Sequence, residues 1–441
     1  MPARTRFLAA AITVAACLGA QALPAAAATG SDPVVSRGVT IPEFYNPPAS
    51  LPAADGTLVR SEPLPLALSL PGLSGPLPGK ATRVMYKSTD SGGGPVAVTG
   101  AYIEPSADWK GEGPRPLVAV APGTMGQGDQ CAASMGLEHP LSLSFETVSV
   151  GYEDLAIYRM LAKGIAVVVT DYAGLGATDR LHTYVNRVDE AHAVLDAVRA
   201  ARSLTGTSVT AQSPVGLFGY SQGGGATAAA AELQPAYAPD VVLDGTYSGA
   251  PPADLVEVTK AIDGGDLAGA LGWSLNGFLQ SDPSLQPIAD AHINTAGKAA
   301  LKDLSTMCIG DALFSYNSAK STAWTNDGRS ISDIIQSEPA LTAFLAKQRI
   351  GTLKPASPVR LATGVNDDLV PHAQARQLAV DWCARGADVT YTPVKLPNLG
   401  RGLLNHAAPL LTDQGDAIDW LADRMSGKAA TSNCGSVGSQ P

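Results

Sequence analysis

Short bounded apolar runs alternate along this chain with longer stretches whose apolar residues recur every three or four positions. Leu117–Ala121, Ile165–Thr170, the run from Val215 into Gly219, Val241–Thr246 and Val359–Thr363 are runs of the kind expected for strands buried on both faces. Arg83–Ser88 and Val96–Ile103 read as a pair of antiparallel strands, and Asp388–Val394 as a last strand. Helical spacing is found in Tyr152–Lys163, with Leu155, Tyr158 and Leu161 on one face and Gly164 as the C-cap, and in Asn186–Leu204, with Val188, Ala191, Val194, Leu195 and Val198 recurring. Helices are also expected directly after Ser221, at His372–Arg385 and at Pro409–Met425. Alternating strands and helices predict an α/β fold with a mostly parallel, doubly wound sheet.

Residues 251–354 interrupt this alternation and read as helical. Leu267, Leu271, Leu275 and Phe278 fall on one helical face, with Trp273 and Leu279 beside it. An ordinary core-facing helix has the same pattern. The position of the insertion, after the strand that follows Ser221, predicts a cap that forms a pocket and excludes water. The sheet-forming core is then split into 29–250, which opens with an irregular, Pro-rich wrap to about Lys80, and 355–425; residues 426–441 form a small polar tail. No internal repeat is present.

At the N-terminus Arg4 and Arg6 precede an apolar, alanine-rich run from Phe7 to Leu23 and the small residues Ala25–Ala28. This is the pattern of a cleaved export signal covering residues 1–28 and predicts secretion. A competing reading takes Val14-Ala15-Ala16-Cys17 as a lipobox, which would anchor the protein through a lipid on Cys17. Without Cys17 four cysteines remain, Cys131, Cys308, Cys383 and Cys434; an even number in an exported chain predicts two disulfides, with three pairings open. Their spacing is not that of a zinc site, and no metal or organic cofactor is expected. The net charge of −10 and the absence of a basic patch exclude nucleic acid as an expected partner.

The candidate chemistry starts at Gly219-Tyr220-Ser221-Gln222-Gly223, where a strand runs into G-x-S-x-G and a small-residue helix follows. That context predicts a nucleophile elbow, whose tight turn needs glycine neighbours and lifts the serine hydroxyl clear of the sheet edge. A serine hydroxyl needs a base and the base an orienting carboxylate, and on such a sheet they follow in the order Ser, Asp or Glu, His. His292, His372 and His406 follow Ser221. His406 is expected in a loop (398–406) between the last strand and last helix, from which it reaches the sheet edge; His372 is the alternative. Asp367 and Asp368 both follow the strand Val359–Thr363, and spacing does not separate them. The oxyanion donors expected are the backbone N–H of Gln222 and that of Thr124, in the glycine-rich loop after Leu117–Ala121.

With these residues in place the chain resembles the secretory lipase family of α/β-hydrolases, of the lipase A type, from about Tyr86 to Met425. The resemblance rests on Gly219–Gly224 (G-Y-S-Q-G-G), Gly364–Pro371 (G-x-x-D-x-x-V-P), Asn405-His406, Gly123-Thr124 and Asp171–Gly176. It implies the α/β-hydrolase fold with an inserted helical cap, Asp367 as the acid, and bridges Cys131–Cys308 and Cys383–Cys434. The sequence departs from the family at the donor loop, where some members carry an acidic residue in place of Gly123-Thr124. Cutinases share G-Y-S-Q-G but are about half as long and carry an acid motif missing here. The reading is a secreted serine ester hydrolase, a lipase acting on acylglycerols, its partners an ester or lipid substrate and transiently a lipid surface met through the cap. A short-chain carboxylesterase or polyester hydrolase on the same residues, or a peptidase, is the alternative, and a non-catalytic secreted binding protein a third. Acyl chain length and oligomeric state are not readable from the sequence.

Overall fold

A computed structural model describes residues 33–70, 77–143 and 147–441. The expected export signal (1–28) and Cys17 lie outside them. The described chain from Val34 onward is one compact unit. Two small antiparallel pairs, β1 (Val35–Ser36) with β2 (Val39–Thr40) and β7 (Leu141–Leu143) with β8 (Val148–Val150), accompany a nine-stranded sheet. The strands of that sheet are β3 (Leu58–Leu64), β4 (Gly79–Thr89), β5 (Pro95–Pro105), β6 (Leu117–Ala121), β9 (Ala166–Ala173), β10 (Val215–Tyr220), β11 (Gly245–Gly249), β12 (Val359–Gly364) and β13 (Val389–Val394). Their spatial order is β13-β12-β11-β10-β6-β9-β5-β4-β3; the first six are mutually parallel and the last three antiparallel. The mostly parallel, doubly wound sheet is thus the observed architecture.

The period-2 alternation of strands decides which face each residue buries. Along β6, Leu117, Ala119 and Ala121 join the core layer formed with α3 (Arg187–Ser203), α4 (Gln222–Tyr237) and α12 (His372–Ala384). Val118 and Val120 join the opposite layer, with α2 (Asp154–Ala162) and α13 (Leu403–Met425). Both faces are covered, which is why the strands are near-continuous apolar runs. α3 begins where expected, with the Asn186 side chain accepting from Val188 N and Asp189 N as N-cap. The remaining short helix of the core is α1 (Ala133–Glu138).

Between β11 and β12 lie seven helices: α5 (Leu255–Ile262), α6 (Gly269–Ser281), α7 (Gln286–His292), α8 (Thr295–Leu304), α9 (Ile309–Ser315), α10 (Ile331–Ser337) and α11 (Pro339–Gln348). They share an apolar cluster of their own, in which Leu267, Leu271, Trp273 and Phe278 are buried as the periodicity predicts.

Four expectations are corrected. The strand read at Val241–Thr246 lies at Gly245–Gly249: Asp244 exchanges hydrogen bonds with Val215 and so sets the start of pairing. The polar β11 is buried because α4 packs on it so closely that a Cβ on Gly224 would lie 2.0 Å from Gly249 O. β3, inside the expected irregular wrap, is an edge strand, the place in a sheet where a proline such as Pro63 is tolerated. On α2 the buried face is Ala156, Ile157, Met160 and Leu161, and Leu155 is exposed. The last helix starts at Leu403, not Pro409, so His406 sits on a helix; the N–H groups of Gly402 and Leu403 are capped by Asp368 and Asp266.

Candidate active site

β6 and β10 are neighbours in register, with Ala121 opposite Gly219, so the loops leaving their C-terminal ends emerge side by side. This is the topological switch point of the sheet, since β9 continues from one side of β6 and β10 from the other. Ser221 follows β10 directly with φ 59° and ψ −123°, a backbone conformation strained for any residue with a side chain. The turn closes because Gly219 and Gly223 approach each other: a Cβ on Gly219 would stand 2.2 Å from Gly223 O. Gln222 is the first residue of α4, so its N–H has no acceptor within the helix.

The loop after β6 is held from several sides. Gly123 N donates to Glu153 Oε1 (2.7 Å), Tyr172 OH to Pro122 O (2.7 Å) and Tyr152 OH to Thr124 O (2.9 Å). The Thr124 hydroxyl shares a hydrogen bond with Tyr184 OH (2.8 Å). With these groups engaged, Thr124 N–H is left without an acceptor among the described residues. Burial raises the pKa of Glu153 to about 7, against the opposing pull of the Gly123 N–H.

Asp367 and His406 meet beyond the ends of β12 and α13. His406 Nδ1 donates to Asp367 Oδ2 at 2.7 Å, and both side chains are buried. Asp367 Oδ1 accepts from the N–H groups of Leu369 (3.1 Å) and Val370 (3.0 Å), which fixes the carboxylate. Tyr220, next to Ser221, donates its hydroxyl to His406 O at 2.7 Å, tying the histidine's backbone to the elbow. His406 Nε2 is buried and has no hydrogen-bond partner among the described residues. Asp368 instead accepts from Gly402 N at 2.9 Å. His372 pairs with Tyr391 OH (3.2 Å) and His292 with Glu338 (2.7 Å), so neither joins the Asp367 carboxylate.

Cys131 is bonded to Cys308 and Cys383 to Cys434. The first bridge joins the end of the donor loop to the helical insertion, where Ile309 N also donates to Met125 O (2.8 Å). Ser221, Gln222 and Thr124 line a cavity of about 40 Å³ under the insertion. Thr259, Ser274 and Phe278 line both this cavity and a second, apolar one, of about 60 Å³, among the insertion's own helices. No cluster of His, Cys, Asp and Glu able to hold a metal ion is found among the described residues.

Comparison with known proteins agrees with this architecture. The secretory lipase family matches residues 137–433, and the chain belongs to that family. It is a carboxylic ester hydrolase of the α/β-hydrolase fold. A protein of Mycobacterium tuberculosis (strain CDC 1551 / Oshkosh) named a probable inactive lipase is 30% identical over 389 residues, 88% of this chain and 82% of that one. Lipase A of Arthroderma benhamiae is 26% identical over 399 residues, 89% and 80% of the two chains. Among solved structures, Candida antarctica lipase A in its closed state superposes with a TM-score of 0.74 at 20% identity over 89% of this chain and 88% of that one. The rice cell wall degrading esterase LipA from Xanthomonas oryzae gives 0.67 at 21% identity over 84% and 100%.

Proposed function

We propose that this chain is a secreted lipase that hydrolyses acylglycerols through an acyl-enzyme on Ser221, with His406 as general base and Asp367 as its orienter. The observation that carries the reading is the pair of adjoining cavities: the one that holds Ser221 shares Thr259, Ser274 and Phe278 with a second, apolar one whose wall is made by the insertion. Its apolar lining suits an acyl chain, and the insertion then acts as the expected cap.

In this reading Ser221 Oγ attacks the ester carbonyl while His406 Nε2 takes its proton. That atom is free to do so because Nδ1–H is committed to Asp367. The serine–histidine hydrogen bond is not made in this structure, where His406 Nε2 has no partner among the described residues; in this reading it forms when substrate binds. The tetrahedral oxyanion is met by the N–H groups of Gln222 and Thr124, each worth about 3 kcal/mol of barrier. The alcohol leaves with the proton from His406, and water, activated by the same imidazole, releases the acid. Contact with a lipid surface is assigned to the insertion, on which Phe314 of α9 is 80% exposed. Export through residues 1–28 completes the reading and fits the two disulfides.

The test is hydrolysis of a chain-length series of esters, soluble and emulsified, by the wild type and Ser221→Ala. Activity rising toward long-chain emulsions is expected, with a loss of at least about 10³-fold in the variant. Activity confined to soluble short esters assigns a short-chain esterase instead; near-normal turnover by Ser221→Ala overturns the nucleophile assignment.

A further inference from the structure

Behind the elbow lies a buried polar network that the hydrolytic steps above do not use. The side-chain amide of Gln222 reaches two groups at once: Nε2 donates to Glu190 Oε1 at 2.8 Å and to His182 Nε2 at 3.0 Å. His182 Nδ1 donates to Ala173 O at 3.0 Å, which fixes the tautomer and leaves Nε2 as the acceptor. Glu190 Oε1 also accepts from Val185 N at 2.9 Å. Val185 has φ 56°, an outlying conformation for a β-branched residue that persists only where its surroundings enforce it. The ring of His182 stacks on Tyr172 (5.8 Å between centroids, 16° between planes), and Tyr172 carries the hydroxyl that holds Pro122 O.

The same stretch of chain reaches the other donor. Tyr184 OH bonds the Thr124 hydroxyl, and Gln127 Nε2 donates to His182 O (2.9 Å) and to Trp273 O (3.1 Å) of the insertion. Residues 182–190 therefore touch, through side chains, both residues assigned above as oxyanion donors. The two N–H groups sit on the loops of different strands; pairing of β6 with β10 brings those loops side by side, and the brace adds side-chain contacts to both. All the polar groups of this brace are buried, where hydrogen bonds are strong and a lost partner is costly.

We propose that His182 and Glu190 are positioning residues of the oxyanion hole, acting through the side-chain amide of Gln222, while Tyr184 sets the Thr124 side of the same hole. The proposal rests on the reading of Gln222 and Thr124 as oxyanion donors. Because preorganised donors act on the transition state and not on the bound ester, loosening them lowers kcat and leaves KM in place. Burial disfavours the charged form of both groups, with the pKa of His182 lowered to about 4 and that of Glu190 raised to about 8, so between these values the brace is largely free of buried charge.

The test uses Gln222→Met, which keeps the backbone N–H and removes the amide, together with Glu190→Leu and Glu190→Gln. Each is assayed for kcat and KM on a soluble ester, for inhibition by an alkyl boronic acid that forms a tetrahedral adduct, and for thermal stability. Gln222→Met and Glu190→Leu are expected to lose about 10- to 100-fold in kcat, less than the 10²–10³-fold typical for deleting a donor. KM should stay within about twofold and boronate affinity should fall in parallel with kcat/KM. Glu190→Gln, which keeps an acceptor oxygen, should recover most of the loss. Folded Gln222→Met with wild-type kcat, or a loss carried by KM alone, or one with boronate affinity unchanged, overturns the proposal. If Glu190→Leu does not fold, Gln222→Met decides alone, since its side chain is replaced by one of similar volume. Failure of the underlying reading is seen separately, as retained turnover by Ser221→Ala.

Discussion

Gly223→Ala is the sharpest probe of the elbow. The added methyl carbon would stand 1.9 Å from Ala121 O, 2.8 Å from Ala121 C and 2.9 Å from Pro122 O. Real Cβ contacts do not fall below 3.0 Å, so the start of α4 and the end of β6 must separate by about 1.1 Å. The obstacle is backbone on both sides, and no rotamer change relieves it. Overpacking of this kind costs about 3 kcal/mol or more. The displacement also acts on chemistry, since Gln222 precedes the substituted residue and Thr124 lies two residues beyond Pro122. A misplacement of about 1 Å in a preorganised site can cost about 10²-fold in rate. Denaturant unfolding and kcat/KM on a soluble ester measure the two consequences. The control is Gly225→Ala, two residues further along α4, where the new carbon meets side chains and no backbone, the Pro252 ring at 3.1 Å and Ile350 Cδ1 at 3.9 Å; its stability should stay within about 1 kcal/mol, helped by alanine's better helix propensity. A folded Gly223→Ala enzyme with wild-type stability and kcat/KM within about threefold would refute the close packing of elbow on donor loop.

Three further outcomes are expected. Asp367→Asn should lose about 10³- to 10⁴-fold in kcat by leaving the wrong histidine tautomer, whereas Asp368→Asn, which keeps an oxygen for Gly402 N, should stay within about tenfold; ester kinetics separate them. Gly415→Ala, in the exposed middle of α13 with nothing within 4 Å of its Cβ, should stabilise the fold by about 0.8–1 kcal/mol, seen as a Tm raised by about 1–2 °C. Glu190 holds its proton in the folded state up to about pH 8, while the unfolded chain releases it near 4.5, so its burial opposes folding increasingly as pH rises through that window; Glu190→Gln should gain Tm relative to wild type between pH 5 and pH 8, and an unchanged difference between the two proteins at both pH values speaks against a buried, protonated Glu190.

The sheet was largely legible because burial on both faces writes itself as apolar runs: β6 has the bounds read from the sequence, and β9, β10 and β12 differ only by a few end residues. β11 was not, because Gly245-Thr246-Tyr247-Ser248-Gly249 is chosen for smallness and not for apolarity; α4 lies against it, and Ser248 Oγ donates to Gly224 O at 2.7 Å. Of the candidate site, motif spacing located Ser221, Gln222, Thr124 and the Asp367–Asp368 alternative. Spacing does not choose between the two aspartates, since both follow the same strand; the resemblance to the family implies Asp367, and it is Asp367 whose Oδ2 lies 2.7 Å from His406. The groups behind the site escaped altogether. His182 and Glu190 precede the serine, belong to no motif, and act at a distance in sequence of 40 and 32 residues from Gln222.

His406 carries the more general lesson. Its expected place was a loop, because Pro409 was read as the first helical residue. A proline inside a helix loses its own N–H bond and crowds the carbonyl four residues before it, here that of Asn405, yet α13 begins six residues earlier, where its first N–H groups find acceptors elsewhere. One of those acceptors, Asp266 Oδ2, receives Leu403 N at 3.0 Å and belongs to the helical insertion. Gly402, at φ 73°, brings the chain so close that a Cβ there would lie 2.4 Å from the same oxygen. The insertion is also bonded to the donor loop, through Cys131–Cys308, Ile309 N on Met125 O, and Gln127 N on Met307 O. It therefore grips the helix of the proposed base on one side and the loop of a proposed oxyanion donor on the other. A segment that looks in sequence like an addition to a finished sheet is, by these contacts, part of what sets the distance between the two.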